Sequence, residues 1–200
     1  MSDDYKANRH QQRQQQLKEQ VDAAVAKADK DKGLLLVLTG NGKGKSTAGF
    51  GTVTRAVGHG YKAAVAQFIK GEWACGERNL LQQHGVPFAV MATGFTWDTQ
   101  DKAADSAAAS HVWQQAKAYL ADEQIDLVLL DELTYMLSYH YLDTDDVLAA
   151  IAKRPPHQHV VITGRNCHRR LIDMADTVSE VQVVKHAFDA GIRAQQGVDW

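Results

Sequence analysis

This sequence predicts an α/β fold: a mostly parallel central sheet with helices on both faces. Three observations lead there. From Gly33 onward, short apolar runs alternate with helical patterns. The first run, Leu34 to Leu38, feeds a glycine-rich turn, and a later one, Leu127 to Leu130, ends in the acids Asp131 and Glu132. Strands separated by helices join through crossovers, which build parallel sheets covered on both sides. Ligands of such sheets gather at the carboxyl ends of the strands.

The elements follow in order. Residues 1 to 32 form a polar arm rich in glutamine and charge, with a thin stripe at Leu17, Val21, Val25 and Ala28. Steps of four and three make a helical pattern too narrow to drive packing alone. The arm reads either as a solvated, partly disordered segment or as a helix that docks over a ligand or a neighbouring subunit. Residues 33 to 200 form the main domain. After the run at 34–38, strands are expected at Lys62 to Ile69, Phe88 to Ala92, Leu127 to Leu130, His159 to Thr163 and Val178 to Val184. Helices are expected at Ser46 to Gly58, Arg78 to Gln83, Lys102 to Leu120, Thr144 to Ala152 and His168 to Ala175. Asp143 to Asp146 supplies a cap and first-turn acids, while Gly60 and Gly85 suit positions just past helix ends.

Bulk properties narrow the function. Two hundred residues suffice for one domain that buries roughly 70 % of the extended chain's surface. A net charge of −2 gives no electrostatic case for nucleic acid or an anionic membrane. The apolar run of five at Leu34 to Leu38 is far short of a membrane span. The polar start, Met1 to Lys6, lacks a signal peptide's apolar segment, and two isolated cysteines, Cys75 and Cys167, suggest neither disulfides nor zinc. A reducing cytoplasm is the expected location.

The chemistry concentrates at Thr39-Gly40-Asn41-Gly42-Lys43-Gly44-Lys45-Ser46-Thr47. A strand, a glycine turn and Gly-Lys-Ser-Thr opening a helix form the context of a phosphate-cradling loop. Backbone amides and the helix dipole attract phosphate, Lys45 supplies an ammonium, and the Ser46 hydroxyl suits Mg²⁺. An ordinary glycine turn is the plain alternative. The standard pattern asks for glycine where Thr39 stands, so the loop is one residue tighter, with Gly42 and Lys43 added. The loop therefore defines the ligand more firmly than the reaction. Asp131 and Glu132 resemble the acids that hold Mg²⁺ opposite such a loop. Arg55 in the following helix and Arg165 after a later strand can each meet phosphate. Ala92 to Thr99 places Phe95 and Trp97 in a polar loop, where they serve either the core or a flat apolar ligand.

Together these segments closely resemble the ATP:corrinoid adenosyltransferases of the housekeeping bacterial type. The resemblance rests on TGNGKGKST, VAQFIKG (65–71), GERNLL (76–81), ATGFTWDT (92–99), LLDELTYM (129–136), ITGR (162–165) and the tail from DTVSEV to GVDW. Ser46 stands where many members carry threonine, which keeps the hydroxyl. The resemblance implies a RecA-like fold and a transferase. Reduced Co(I) of a corrinoid attacks the 5′ carbon of ATP and triphosphate leaves whole, the triphosphate lying reversed in the loop relative to ordinary NTPases. It implies that Asn41 to Thr47 bind phosphates, with Gly40 at the loop's start, and that Lys45 neutralises the leaving group. Ser46 and Glu132 hold Mg²⁺ (Mn²⁺ as an alternative), supported by Asp131. Phe95 and Trp97 displace the corrinoid's lower ligand, and the arm covers the corrinoid. A homodimer and a reduced flavodoxin or similar flavoprotein complete the picture. Two other readings stand beside it: a RecA-like ATPase in which Glu132 activates water, and a nucleotide-gated corrinoid-binding module without chemistry.

Overall fold

The computed structural model describes residues 3–69, 74–91 and 101–199. The chain divides into two compact units, Met1–Lys32 and Gly33–Trp200. In the first, α1 runs from Asp3 to Lys27. Its stripe residues Leu17, Val21 and Val25 are exposed.

In the second unit the elements are β1 (Leu35–Thr39), α2 (Lys45–Gly58), β2 (Ala63–Gln67), α3 (Gly76–Gln83) and β3 (Phe88–Val90). Then come α4 (Lys102–Ala121), β4 (Leu127–Asp131), α5 (Leu133–Ser138), α6 (Thr144–Ala152), β5 (His159–Thr163), α7 (Arg169–Met174) and β6 (Thr177–Glu180). A 3₁₀ turn at Ala187–Ala190 follows. The six strands form one parallel sheet in the order β3-β2-β4-β5-β1-β6. The expected α/β architecture is therefore present. Strand β5 sits between β1, which feeds the glycine loop, and β4, which carries the acids.

Period-two alternation sorts each central strand onto two cores. Ala64, Ala66, Val128, Leu130, Val160 and Ile162 join residues of α4 to α7, including Trp113, Leu120, Met136 and Ile151. Ala63, Val65, Leu127, Leu129 and Val161 pack instead with Phe50, Val53 and Ala56 of α2 and Leu81 of α3. Burial on both faces explains why the strands read as unbroken apolar runs.

The helix ends follow local chemistry. Asp101 accepts from the amides of Ala103 and Ala104, and Asp143 from that of Asp146 at 2.8 Å, starting α4 and α6. Past α2, Gly60 at φ +82° donates to Val57 O while Tyr61 donates to Ala56 O, closing the left-handed stop that glycine permits. The same pair of bonds ends α3 at Gly85 and Val86. Three elements depart from the expectation. α5 and the 3₁₀ turn were not anticipated, being too short for periodicity to register. β6 is exposed and ends at Glu180, four residues before the expected Val184, because an edge strand has only one neighbour to keep it in register. Among the described residues no helix is long and apolar enough to cross a membrane.

Candidate active site

β1 ends at Thr39, and the chain turns through Gly40 (φ +100°) and Gly44 (φ +112°) before Lys45 opens α2. The glycines serve different purposes. A Cβ on Gly42 would lie 2.7 Å from Gln182 O, and one on Gly40 would strike the Val181 carbonyl, so these two make room for the chain beyond β6. That chain is tied in, since the Gly42 amide donates to Val181 O at 2.7 Å and the Val181 amide to Thr39 O at 2.8 Å. Gly44 has open space around it and is needed for its positive φ.

Lys45 is buried, and its Nζ donates to Gly42 O at 2.7 Å. Its pKa is lowered, chiefly by burial; Glu132 opposes that shift, Arg165 adds to it, and Asp131 opposes it. One ammonium thus feels both acids and one guanidinium across the carboxyl edge of the sheet.

The acids at the end of β4 differ in environment. Asp131 is 1 % exposed. Its Oδ1 accepts from Thr163 Oγ1 at 2.7 Å and its Oδ2 from Gln67 Nε2 at 3.2 Å. Glu132 has φ +60°, a left-handed conformation uncommon for glutamate, and it turns the chain from β4 into α5. Its amide donates to Thr163 Oγ1 at 2.9 Å. Gly164, at φ +133°, lies alongside; a Cβ there would collide with Thr134 Oγ1 and come within 3.1 Å of Glu132 Oε2.

A cavity of about 520 Å³ opens beside the loop and Glu132. Lys43 to Thr47 form one side and Glu132 another, with Glu77 and Leu80 of α3 and Gly197 to Asp199 of the tail closing the rest. Lys43 Nζ pairs with Asp199 Oδ1 at 2.7 Å. That bond, with a further one from the Gln195 amide, holds the Asp199 carboxyl below its ordinary value.

The family model for ATP:corrinoid adenosyltransferase BtuR/CobO/CobP matches residues 31–200. This chain belongs to that family. The corrinoid adenosyltransferase of Escherichia coli (strain K12) is 61 % identical over 192 residues, 96 % of this chain and 98 % of that protein. The corrinoid adenosyltransferase CobA of Salmonella typhimurium is 60 % identical over the same shares. That of Pseudomonas aeruginosa is 49 % identical over 197 residues, 98 % of this chain and 97 % of the relative.

On this member of the corrinoid adenosyltransferase family, the expected residues fall into three groups. Lys43, Gly44, Lys45, Ser46, Thr47 and Glu132 line the cavity together. Asp131 lies buried behind Glu132, while Gly40, Asn41 and Gly42 form the preceding part of the loop, Asn41 exposed. Arg165 is exposed on the turn after β5, within electrostatic reach of Lys45. Arg55 is not brought there. It is exposed in the last turn of α2, ten residues beyond Lys45 and so about 15 Å along the axis from the loop. Phe95 and Trp97 lie outside the described residues. Sequence reasoning did not single out Thr163, Gln67, Glu77, Leu80 or Asp199. Each lies in or beside a quoted motif, yet its role depends on contacts between distant segments.

Ser46 and Glu132 offer hard oxygen donors on one cavity. Among the described residues no group of three or more His, Cys, Asp or Glu could hold a metal ion. Two such oxygen donors fit the chemistry of Mg²⁺, which keeps waters and takes further ligands from phosphate.

Proposed function

We propose that this chain transfers the 5′-deoxyadenosyl group of ATP to Co(I) of a reduced corrinoid, forming a cobalt–carbon bond and releasing triphosphate. The reading is carried by the family match over 31–200 falling on a chain whose cavity gathers Lys45, Ser46 and Glu132. Co(I) brings its own electron pair to the 5′ carbon, and the C5′–O bond breaks with both its electrons leaving on triphosphate. No proton needs to move, so the protein needs no general base. Its work is alignment and neutralisation of emerging charge. Lys45, already desolvated, neutralises the leaving triphosphate, and loop amides from Asn41 to Thr47 orient it. Ser46 and Glu132 would hold Mg²⁺, with Mn²⁺ as an alternative, and Asp131 supports them from behind. When bound, the ion neutralises phosphate charge.

Phe95 and Trp97 are assigned to the corrinoid, where they displace its lower axial ligand so that Co(II) is more readily reduced. The arm, residues 1 to 32, serves as a lid over the corrinoid. A homodimer in the cytoplasm, supplied with electrons by flavodoxin or a similar flavoprotein, completes the proposal. The test is an anaerobic assay with ATP, Mg²⁺ and chemically reduced cobalamin. The visible spectrum should report an adenosyl–cobalt bond, and triphosphate should appear in equal amount. Release of ADP and orthophosphate without corrinoid would overturn the proposal in favour of an ATPase.

A further inference from the structure

The acid pair is fastened by a side chain on the neighbouring strand. We infer that Thr163 is a positioning residue for the nucleotide's divalent cation: its hydroxyl, shared between Asp131 and Glu132, decides which carboxylate faces the cavity. This inference rests on the proposal that Mg²⁺–ATP occupies that cavity.

A hydroxyl has one proton to give and lone pairs to receive. The Thr163 proton goes to Asp131 Oδ1 at 2.7 Å, and its oxygen accepts the Glu132 amide at 2.9 Å. Gln67 Nε2 occupies the other oxygen of Asp131 at 3.2 Å. Both oxygens of Asp131 are thereby engaged by protein donors, and the residue is buried off the cavity. Glu132 is the carboxylate left to line it. The Thr163 bond falls on the amide of the residue at φ +60°, where the chain abandons the strand alternation that sends successive side chains to opposite faces.

The hydroxyl is itself held in place. Thr163 is wholly buried on β5, its Cα paired with Leu38 of β1, while β4 flanks β5 on the other side. Its methyl packs toward α2: a Cβ on Gly49 would lie 3.0 Å from Thr163 Cγ2. Exchanging methyl and hydroxyl would turn the methyl toward the acids and leave the hydroxyl facing Gly49 of α2, away from Asp131 and the Glu132 amide. Thr163 therefore couples the strand of the phosphate loop to the strand of the acids.

The experiment measures ATP affinity by calorimetry with Mg²⁺ and with EDTA, for the wild type, Thr163→Val and Thr163→Ser. Partners that orient a metal ligand typically change metal affinity on the order of 10–100-fold. Thr163→Val should cut the Mg²⁺-dependent gain in ATP affinity by about tenfold or more while leaving affinity in EDTA within about twofold. Thr163→Ser, which keeps the hydroxyl, should restore the gain. An undiminished gain in the valine variant, or equal loss in both buffers, overturns the inference. Should the valine chain fail to fold, Thr163→Cys is read against Thr163→Ser, from which it differs only in a thiol that hydrogen-bonds far more weakly than the hydroxyl; a full Mg²⁺ gain in the cysteine variant overturns the inference. A wild type whose ATP affinity ignores Mg²⁺ sinks the cation assignment itself, and the inference with it. A wild type with a clear gain and variants without any change sinks only the role of Thr163.

Discussion

The two walls of the cavity are built on different principles. The acid wall, where β4 and β5 end, is buried. Behind Glu132, which lines the cavity, Asp131 is bonded to both Thr163 and Gln67, and all three are at most 1 % exposed. The tail wall, Gly197 to Asp199, ends a segment held by backbone bonds between Val181 and the loop and by the Lys43–Asp199 pair, and Val184, Phe188 and Val198 of that segment are 98 %, 75 % and 68 % exposed. A buried polar network loses heavily when one member goes, because its partners are left without water. An exposed ion pair loses little, because solvent replaces it. The acid wall should therefore behave as fixed machinery and the tail wall as adjustable trim.

The largest expected effect belongs to the cation facing the acids. Lys45→Ala should slow adenosyl transfer on the order of 10²–10³-fold at saturating ATP, the usual cost of losing one preorganised charge-stabilising donor. Turnover near the wild-type rate would remove Lys45 from the mechanism. Next comes Gly164→Ala, which forces a side chain onto Thr134 at a left-handed position. It should cost about 2–4 kcal/mol of stability, from strain plus overpacking, read by denaturant unfolding. A loss below about 0.5 kcal/mol would mean that the acid wall yields as easily as the tail.

A smaller effect carries the opposite sign. Burial lowers the Lys45 pKa from 10.5, so below that lowered value the folded state carries a desolvated charge that the unfolded chain does not. The unfolded state binds more protons between the lowered value and 10.5, so this penalty is relieved as pH rises through that window. Lys45→Met should accordingly be no less stable than wild type at neutral pH, with any gain shrinking toward pH 10.5; thermal melts across pH check it. A destabilised methionine variant would show that the Gly42 bond outweighs burial. The smallest effect is expected in the tail. Asp199→Ala releases Lys43 to phosphate and should tighten ATP binding by up to about fivefold at low salt, fading above roughly 0.5 M salt. A tenfold or larger change, in either direction, would place Asp199 among the fixed parts.

Legibility in the sequence follows the same division. β5 and α6 lie at the bounds expected, because a three-residue apolar core in one and an Asp cap in the other are local signals. α2 starts at the lysine of the loop, one residue early. The short α5 went unread because six residues carry too little pattern, and β6 was expected but its bounds were missed, because an exposed edge offers little burial to mark where the strand stops. At the site, Lys45, Ser46 and Glu132 were legible from motif and strand context. Arg55 was chosen for its guanidinium and its place in the helix after the loop, and that helix carries it to the far end.

The order of residues by itself determined the alternating architecture, the glycine-lysine loop and the acid pair, since each depends on neighbours within a few positions. Tertiary structure alone decided that Gly40 and Gly42 yield space to Val181 and Gln182, that Asp131 is withdrawn while Glu132 faces the cavity, and that one threonine joins them. Those contacts join segments 31 to 141 residues apart, and no local pattern encodes which distant hydroxyl or carbonyl a parallel sheet will place beside a given side chain.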